Sequence, residues 1–377
     1  MRIRKILVLG GYGNFGKRIA AGLSDFGGVT VCIAGRNYAK AQALADQLNS
    51  QSPSSSYTPI ALDIFASEFA DQLKRLVPDL VIHTSGPFQG QDHRVPAACI
   101  DAGAHYIDLS DDRRFVCDIG SLDAQARVKG CLLVSGASSV PGLSSVVVDH
   151  YRDQFGCIDS IDMAIAPGNK AERGEATVRG ILSYTGHPFR VTEAGQFVDA
   201  YGWMSSRQLD FGGVIGRRWL ANVDVPDLEL FPERYEDVKT VRFQAGLELP
   251  ILHLGMGFMA WLARYRLIPD WSVYTKPIVA ASNLFDRFGT DIGGMQIEIS
   301  GRDQAGKRKT IKWTLVAENG IGPYIPTMSA LILAKKLMNN QLSDTGAKAC
   351  LGMYSLADFH SHIEPYDIHC REEVSYG

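Results

Sequence analysis

The chain has 377 residues, of which 46% are hydrophobic, and 38 Lys and Arg stand against 41 Asp and Glu. That length exceeds what a single hydrophobic core ordinarily supports, so two domains are expected. A net charge of −3 with the signs interspersed argues against nucleic acid as a partner and leaves a small-molecule substrate as the expected one.

In chain order, the opening Met1-Arg-Ile-Arg-Lys5 is followed by an apolar run of only Ile6 to Leu9. That run is too short for a secretory segment. The strand Lys5 to Leu9 leads into Gly11, Gly13 and Gly16, a G-x-G-x-x-G turn opening a helix that the pattern carries to about Phe26. The first glycine permits the tight turn, the second lets backbone approach a pyrophosphate, and the third lets helix and strand pack closely. Asn14 and Phe15 lie within the same anion-facing turn, where the helix offers N–H groups and its positive dipole end.

The second strand, Val29 to Ala34, ends at Gly35-Arg36-Asn37, and no acid occurs between Gly27 and Ala45. An NAD-preferring site places Asp or Glu about here for the ribose 2′-hydroxyl. Arg36 instead offers a planar cation suited to a 2′-phosphate, with Asn37 and Lys40 as helpers, so NADP(H) is the expected cofactor. Further strands are expected at Pro59–Leu62, Leu80–Thr84, Tyr106–Leu109 and Cys131–Ser135, with helical segments between and a polar loop at 51–56. Six strands in this rhythm describe a doubly wound parallel sheet of Rossmann type, an α/β domain over residues 1–150. Asp63, just past the third strand, is placed either to reach the adenine or to cap the helix that follows.

After residue 150 the rhythm changes. Ile158–Ile165, Val238–Gln244, Gly294–Ser300 and Lys309–Val316 alternate apolar and polar positions, as half-exposed strands of a largely antiparallel sheet do. Helices are expected at Glu175–Tyr184 and Ile278–Phe288, making 151–323 an α+β substrate and dimerisation domain. Thr327–Leu337 reads as a helix, and the segment 324–377 is expected to pack back on the first domain. The longest apolar stretch, Ile251–Ala263, is too short to span a bilayer, so integral membrane association is not expected. It reads as a buried or interfacial helix.

Ligands of open α/β sheets bind outside the carboxyl ends of the strands. The loops after strands four to six are therefore the candidate site: His83 to Phe88, Asp108 to Arg114, and Ser135 to Gly142. In these loops the chain resembles the saccharopine dehydrogenase family, whose members carry V-N-x-x-G-P-[YF], then A-C-x-x-x-G-x-x-Y-x-D-x-x-G-E, then a Gly/Pro loop. The matching segments are Val81 to Phe88, Ala98 to Asp108, and Gly136 to Gly142. His83 stands where the family commonly has Asn, and Asp111-Asp112 replaces Gly-Glu. The resemblance implies a two-domain enzyme in which NADPH reduces the imine formed between an amine and an aldehyde, or runs the reverse cleavage. It implies Ser85, Gly86, Pro87 and Phe88 beside the nicotinamide end, Ser138, Ser139 and Pro141 beside the substrate, and a cleft between the domains. Asp108 and Asp112 are the candidates for proton transfer or for binding an ammonium group. Arg173 and Arg179 are candidate carboxylate ligands. Family members commonly pair through the second domain, so a homodimer joined through residues 155–320 is expected.

Two other motifs are set aside. Tyr235 and Lys239 have the Tyr-x-x-x-Lys spacing of short-chain dehydrogenases but precede a strand rather than sit on a helix of the nucleotide domain. His360, His362, His369 and Cys370 lack regular ligand spacing, and no metal is expected. Seven cysteines, an odd number without a C-x-x-C pair, fit a reduced, cytoplasmic chain. A lipid-type enoyl or keto reductase, suggested by the apolar run, and a non-catalytic NADP-binding sensor are the alternative functions.

Overall fold

The computed structural model describes residues 3–51 and 55–377, so the centre of the expected 51–56 loop lies outside the described residues. The chain divides into two compact units, residues 1–143 with 324–354, and residues 144–323 with 355–377.

The first unit is built on a seven-stranded sheet. Its strands are β1 (Lys5–Leu9), β2 (Thr30–Gly35), β3 (Ser56–Ala61), β4 (Leu80–His83), β5 (His105–Asp108), β6 (Leu132–Ser135) and β15 (Gly346–Ala349). They run in the order β15-β6-β5-β4-β1-β2-β3, and every pairing is parallel. The reversal of order falls between β1 and β4, where β1 opposes Ile6 to Leu80 and Leu9 to His83. Strands β4 and β6 are buried at every position, which is why they read as short uninterrupted apolar runs rather than as alternating ones.

β15 is a strand the sequence reading did not contain. Its four residues, Gly-Ala-Lys-Ala, have neither β-branched side chains nor an apolar run. Its register is set from outside, by Gly346 N–H on the Cys131 carbonyl at 2.8 Å and by Ala347 N–H on the Asp123 carboxylate at 2.9 Å. Helix Ile325–Met338, whose fixed first turn carries Pro326, is buried along most of its length and belongs to this unit. The expected return of residues 324–377 is therefore corrected: 324–354 joins the first unit, whereas 355–377 belongs to the second, as do residues 144–150.

The second unit contains β7 (Cys157–Ala166), β8 (Pro188–Glu193), β9 (Gln196–Tyr201), β10 (Arg207–Asp210), β11 (Arg217–Asn222), β12 (Thr240–Ala245), β13 (Gly293–Arg302), β14 (Arg308–Ala317) and β16 (Ile368–Tyr376). Its main sheet runs β10-β11-β12-β7-β13-β14-β16, with β8 and β9 forming a separate hairpin. All neighbours are antiparallel except β12 and β7, which are parallel. β16 escaped the sequence pattern because it is a charged edge strand, His-Cys-Arg-Glu-Glu in its centre, paired only with β14. The helix expected at Ile278–Phe288 instead spans Thr275–Asn283. Helices Glu175–Tyr184 and Pro250–Arg264 occur close to where the periodicity places them.

Candidate functional site

The first candidate surface is the turn after β1. The helix Asn14–Gly22 begins at Gly13 with no side-chain cap, so its first-turn N–H groups face outward with the positive end of the dipole. Two glycines make the turn possible. A Cβ on Gly16 would lie 2.1 Å from the Gly10 carbonyl oxygen, so only hydrogen lets the helix approach the strand. Gly10, which the motif reading did not include, has φ +73° and would press a Cβ to 2.9 Å from Ser85 Oγ. The turn after β1 and the loop after β4 thus touch through it. Thr84 fixes the same junction by donating its hydroxyl to the Leu9 carbonyl at 2.8 Å. Asn14 is engaged within the helix, where its side-chain oxygen accepts from Arg18, whose guanidinium also lies 4.9 Å over the Tyr324 ring. Phe15 is half-buried.

At the end of β2, Arg36 is exposed and forms no ion pair among the described residues. Asn37 is otherwise occupied. Its side-chain oxygen accepts Lys40 N–H at 3.0 Å, capping the next helix, and its own N–H donates to the Tyr12 hydroxyl at 2.9 Å. Tyr12 lies against Gly35, where a Cβ would meet its ring at 2.5 Å. The Asn37 side-chain oxygen thus serves as an N-cap. Tyr12, which the sequence reading passed over, orders the backbone beside Arg36. Asp63 holds its own turn, accepting Phe65 N–H at 3.0 Å.

After β4, Ser85, Gly86 and Pro87 are half-exposed and Phe88 is buried. Gln91 pins this loop by donating to the carbonyls of Ser85 and Pro87 at 2.8 and 2.6 Å. His83 does not face the loop's outer side. It is fully buried, 4.9 Å from the Phe88 ring, with Nδ1 3.0 Å from the Tyr106 hydroxyl. Burial drives its pKa down to about 3, so the imidazole is neutral.

The loops after β5 and β6 are held by Asp108. Its carboxylate accepts Gly136 N–H at 2.8 Å and Ser110 N–H at 2.9 Å, while its carbonyl accepts Ala137 N–H at 2.8 Å. The residue has no exposure. Burial raises its pKa, opposed by those backbone donors. Asp112 caps the helix Arg113–Cys117 through Phe115 N–H at 2.8 Å, and burial raises its carboxyl as well. Both carboxylates singled out from the sequence are thus engaged in shaping the loops. Their neighbour Asp111, half-buried like Asp112, differs in its partner: it accepts Gln89 Nε2 at 3.1 Å. Burial raises its pKa too, and the charge of Asp112 adds to the shift.

Ser138, Ser139 and Pro141 are buried. Ser138 offers its carbonyl to Ser329 Oγ at 2.8 Å, and Ser329 in turn meets the Tyr354 hydroxyl at 2.7 Å. The loop 136–142 is a packed one, with Ser138, Ser139 and Pro141 buried within it. In the second unit, Arg173 is bound to Asn169 and lies 3.9 Å from Asp286, whereas Arg179 is exposed on its helix and has no ion pair among the described residues. Tyr235 donates to Asp149 at 2.8 Å, and burial with that carboxylate raises its pKa, the reverse of what a catalytic Tyr-x-x-x-Lys pair needs. Lys239 pairs with Asp159 at 3.5 Å. The described residues contain no helix long and apolar enough to cross a membrane.

Comparison with known proteins bears on this arrangement. Residues 6–129 match the family model described as the saccharopine dehydrogenase NADP binding domain. A search of curated protein sequences finds no match. Among solved structures, a saccharopine dehydrogenase (L-Glu forming) from Saccharomyces cerevisiae superposes with a TM-score of 0.68 at 14% identity, covering 99% of this chain and 100% of its own. At that identity the likeness speaks for the fold. A short-chain type dehydrogenase/reductase from Mycobacterium ulcerans aligns over 36% of this chain and 66% of its own at 18% identity, with a TM-score of 0.28 that carries no argument.

Proposed function

We propose, from the match of residues 6–129 to the saccharopine dehydrogenase NADP binding domain model, that the chain is an NADP(H)-dependent oxidoreductase acting at a C=N or C–N bond of a small amino-acid-like substrate. The observation that carries the cofactor reading is Arg36, an exposed guanidinium without an ion pair, beside an uncapped helix N-terminus. Arg36 and Lys40 would take the 2′-phosphate, and the turn Gly11–Gly16 the pyrophosphate, where a Cβ at the closest point has no room. Ser85, Gly86 and Pro87 would border the far end of the cofactor. When bound, the nicotinamide supplies or accepts the hydride.

The protein's own part is to orient the reacting carbon and to hold a proton near the amine nitrogen. Asp108 and Asp112 are committed to loop structure, so the proton-carrying role passes to Asp111. Its carboxyl is steadied by Gln89 and keeps its proton to higher pH than an ordinary aspartate. Arg179 is the candidate partner for a substrate carboxylate.

The test is NADPH oxidation with amino acid plus aldehyde mixtures, and separately with enoyl lipids. Turnover with the first class is the expected result. Turnover with the second alone assigns a lipid reductase, and tight NADPH binding with no turnover of either assigns a sensor. Asp111→Asn should abolish the limb of the reductive pH profile that falls as pH rises through the raised Asp111 pKa, while leaving NADPH affinity within about twofold, because the remote phosphate contacts are intact. An unchanged profile removes Asp111 from the mechanism.

A further inference from the structure

The helix Pro250–Arg264 is apolar on two faces. His253, Met256, Ala260 and Ala263 are buried and form the face turned into the second unit. Ile251, Leu254, Phe258, Trp261 and Tyr265, spaced three and four residues apart, form a second stripe with exposures from 44% to 64%. No charged residue occurs from Pro250 to Ala263. A helix apolar all round is ordinarily covered, and a stripe of this size marks an interaction surface.

The charges beside the stripe indicate what covers it. At its C-terminal end stand Arg264 and Arg266, and no acid occurs from Leu249 to Pro269. The acids that flank this stretch in the sequence are engaged: Glu248 pairs with Arg218 at 3.2 Å, and Asp270 accepts Ser272 N–H at 2.8 Å. Arg264 and Arg266 are exposed, and among the described residues neither has a carboxylate within ion-pair distance. Arg264 rests on the face of Tyr201 at 4.0 Å. An acidic chain, net −3, thus presents a locally cationic, aromatic-rich apolar stripe.

We propose that this helix is an interfacial anchor that lays its stripe into a bilayer surface containing anionic phospholipid. Trp261, Phe258 and Tyr265 are the residue types that sit at the headgroup boundary, and the cations would meet lipid phosphates and carboxylates. The 15-residue length suits a helix lying in the surface plane. A second copy of the chain is the weaker occupant. In a two-fold interface the patch faces itself, and the uncharged stripe of the second copy offers no carboxylate to Arg264 and Arg266.

The experiment is co-sedimentation of the full chain with phosphatidylcholine vesicles with and without phosphatidylserine, alongside light scattering in the absence of lipid. Binding should require phosphatidylserine and weaken with salt. Phe258→Glu should reduce it about tenfold or more, since a charge replaces a buried aromatic ring. The double variant Arg264→Gln, Arg266→Gln should reduce it by a similar order at roughly fivefold per cation. Both variants should keep wild-type NADPH affinity, which shows that they fold. No binding to phosphatidylserine vesicles, or binding unchanged in Phe258→Glu, overturns the proposal. So does a dimer in solution that Phe258→Glu converts to monomer without any vesicle binding, which gives the face to a second copy.

Discussion

The loops at the carboxyl ends of β1 and β2 and those at the ends of β5 and β6 belong to one sheet yet use their polar groups in opposite ways. The first pair leaves them outward: an uncapped helix N-terminus at Gly13 and an exposed Arg36. The second pair turns them on each other. Asp108 closes both loops through Gly136 and Ser110, Asp112 caps a helix, and Ser138 is tied to Ser329. Polar residues after parallel strands are thus of two kinds, those left outward and those that hold the loops together. Backbone partners separate them: Asp108 and Asp112 accept N–H groups of their own loops, whereas Arg36 has no ion pair among the described residues.

The comparison can be broken most strongly at His83, the neutral imidazole beneath the second region. Its folded pKa of about 3 lies below the ordinary 6.5, so between those values the unfolded chain binds a proton that the native one does not. Stability should therefore fall as pH drops from 6.5 towards 3, at about 1.4 kcal/mol per pH unit for this group. His83→Asn should flatten that slope in urea melts at stepped pH. A slope identical to wild type would mean that His83 is accessible to protons when folded.

Next in size is Asp108. Asp108→Ala leaves two buried N–H donors without an acceptor and should cost about 2–4 kcal/mol in denaturant unfolding. Asp108→Asn retains an acceptor oxygen and should lose less than half as much while still turning over substrate. A stable but inactive Asn variant would make Asp108 a proton carrier and erase the distinction drawn between the two regions.

On the open side, Arg36→Asp should weaken NADPH binding by about 1.5–3 kcal/mol and leave NADH affinity similar or improved, read by fluorescence titration. Equal wild-type affinity for the two cofactors would mean that Arg36 is an ordinary surface residue. Smallest is Tyr12→Phe. It keeps the ring on Gly35 but removes the acceptor for Asn37 N–H, which should cost about 0.5–1.5 kcal/mol in NADPH binding and little in NADH. A loss equal for both cofactors would place Tyr12 in the general support of the turn rather than in the presentation of Arg36.

Much of the first unit was legible because its signals are local. A glycine turn between an apolar run and a helix, and the absence of an acid near Arg36, are visible without coordinates. Buried parallel strands announce themselves as short apolar runs. β15 and β16 did not, since Gly-Ala-Lys-Ala and a charged edge strand take their conformation from the neighbour they pair with. Asp108, Asp111 and Asp112 are chemically alike on paper. Only the fold shows that the first is sealed, the second half-open and the third a cap.

The sequence by itself determined the doubly wound sheet, the glycine turn before an uncapped helix and the cation in place of an acid at the end of β2, because each rests on residues adjacent in the chain. Tertiary structure alone decided that Asn37 and Asp63 serve their own turns, that Ser138 and Ser139 are packed away, and that one face of Pro250–Arg264 stays uncovered. Those outcomes depend on which distant groups arrive beside a residue, and burial and hydrogen-bond partners are properties of the assembled chain rather than of any segment of it.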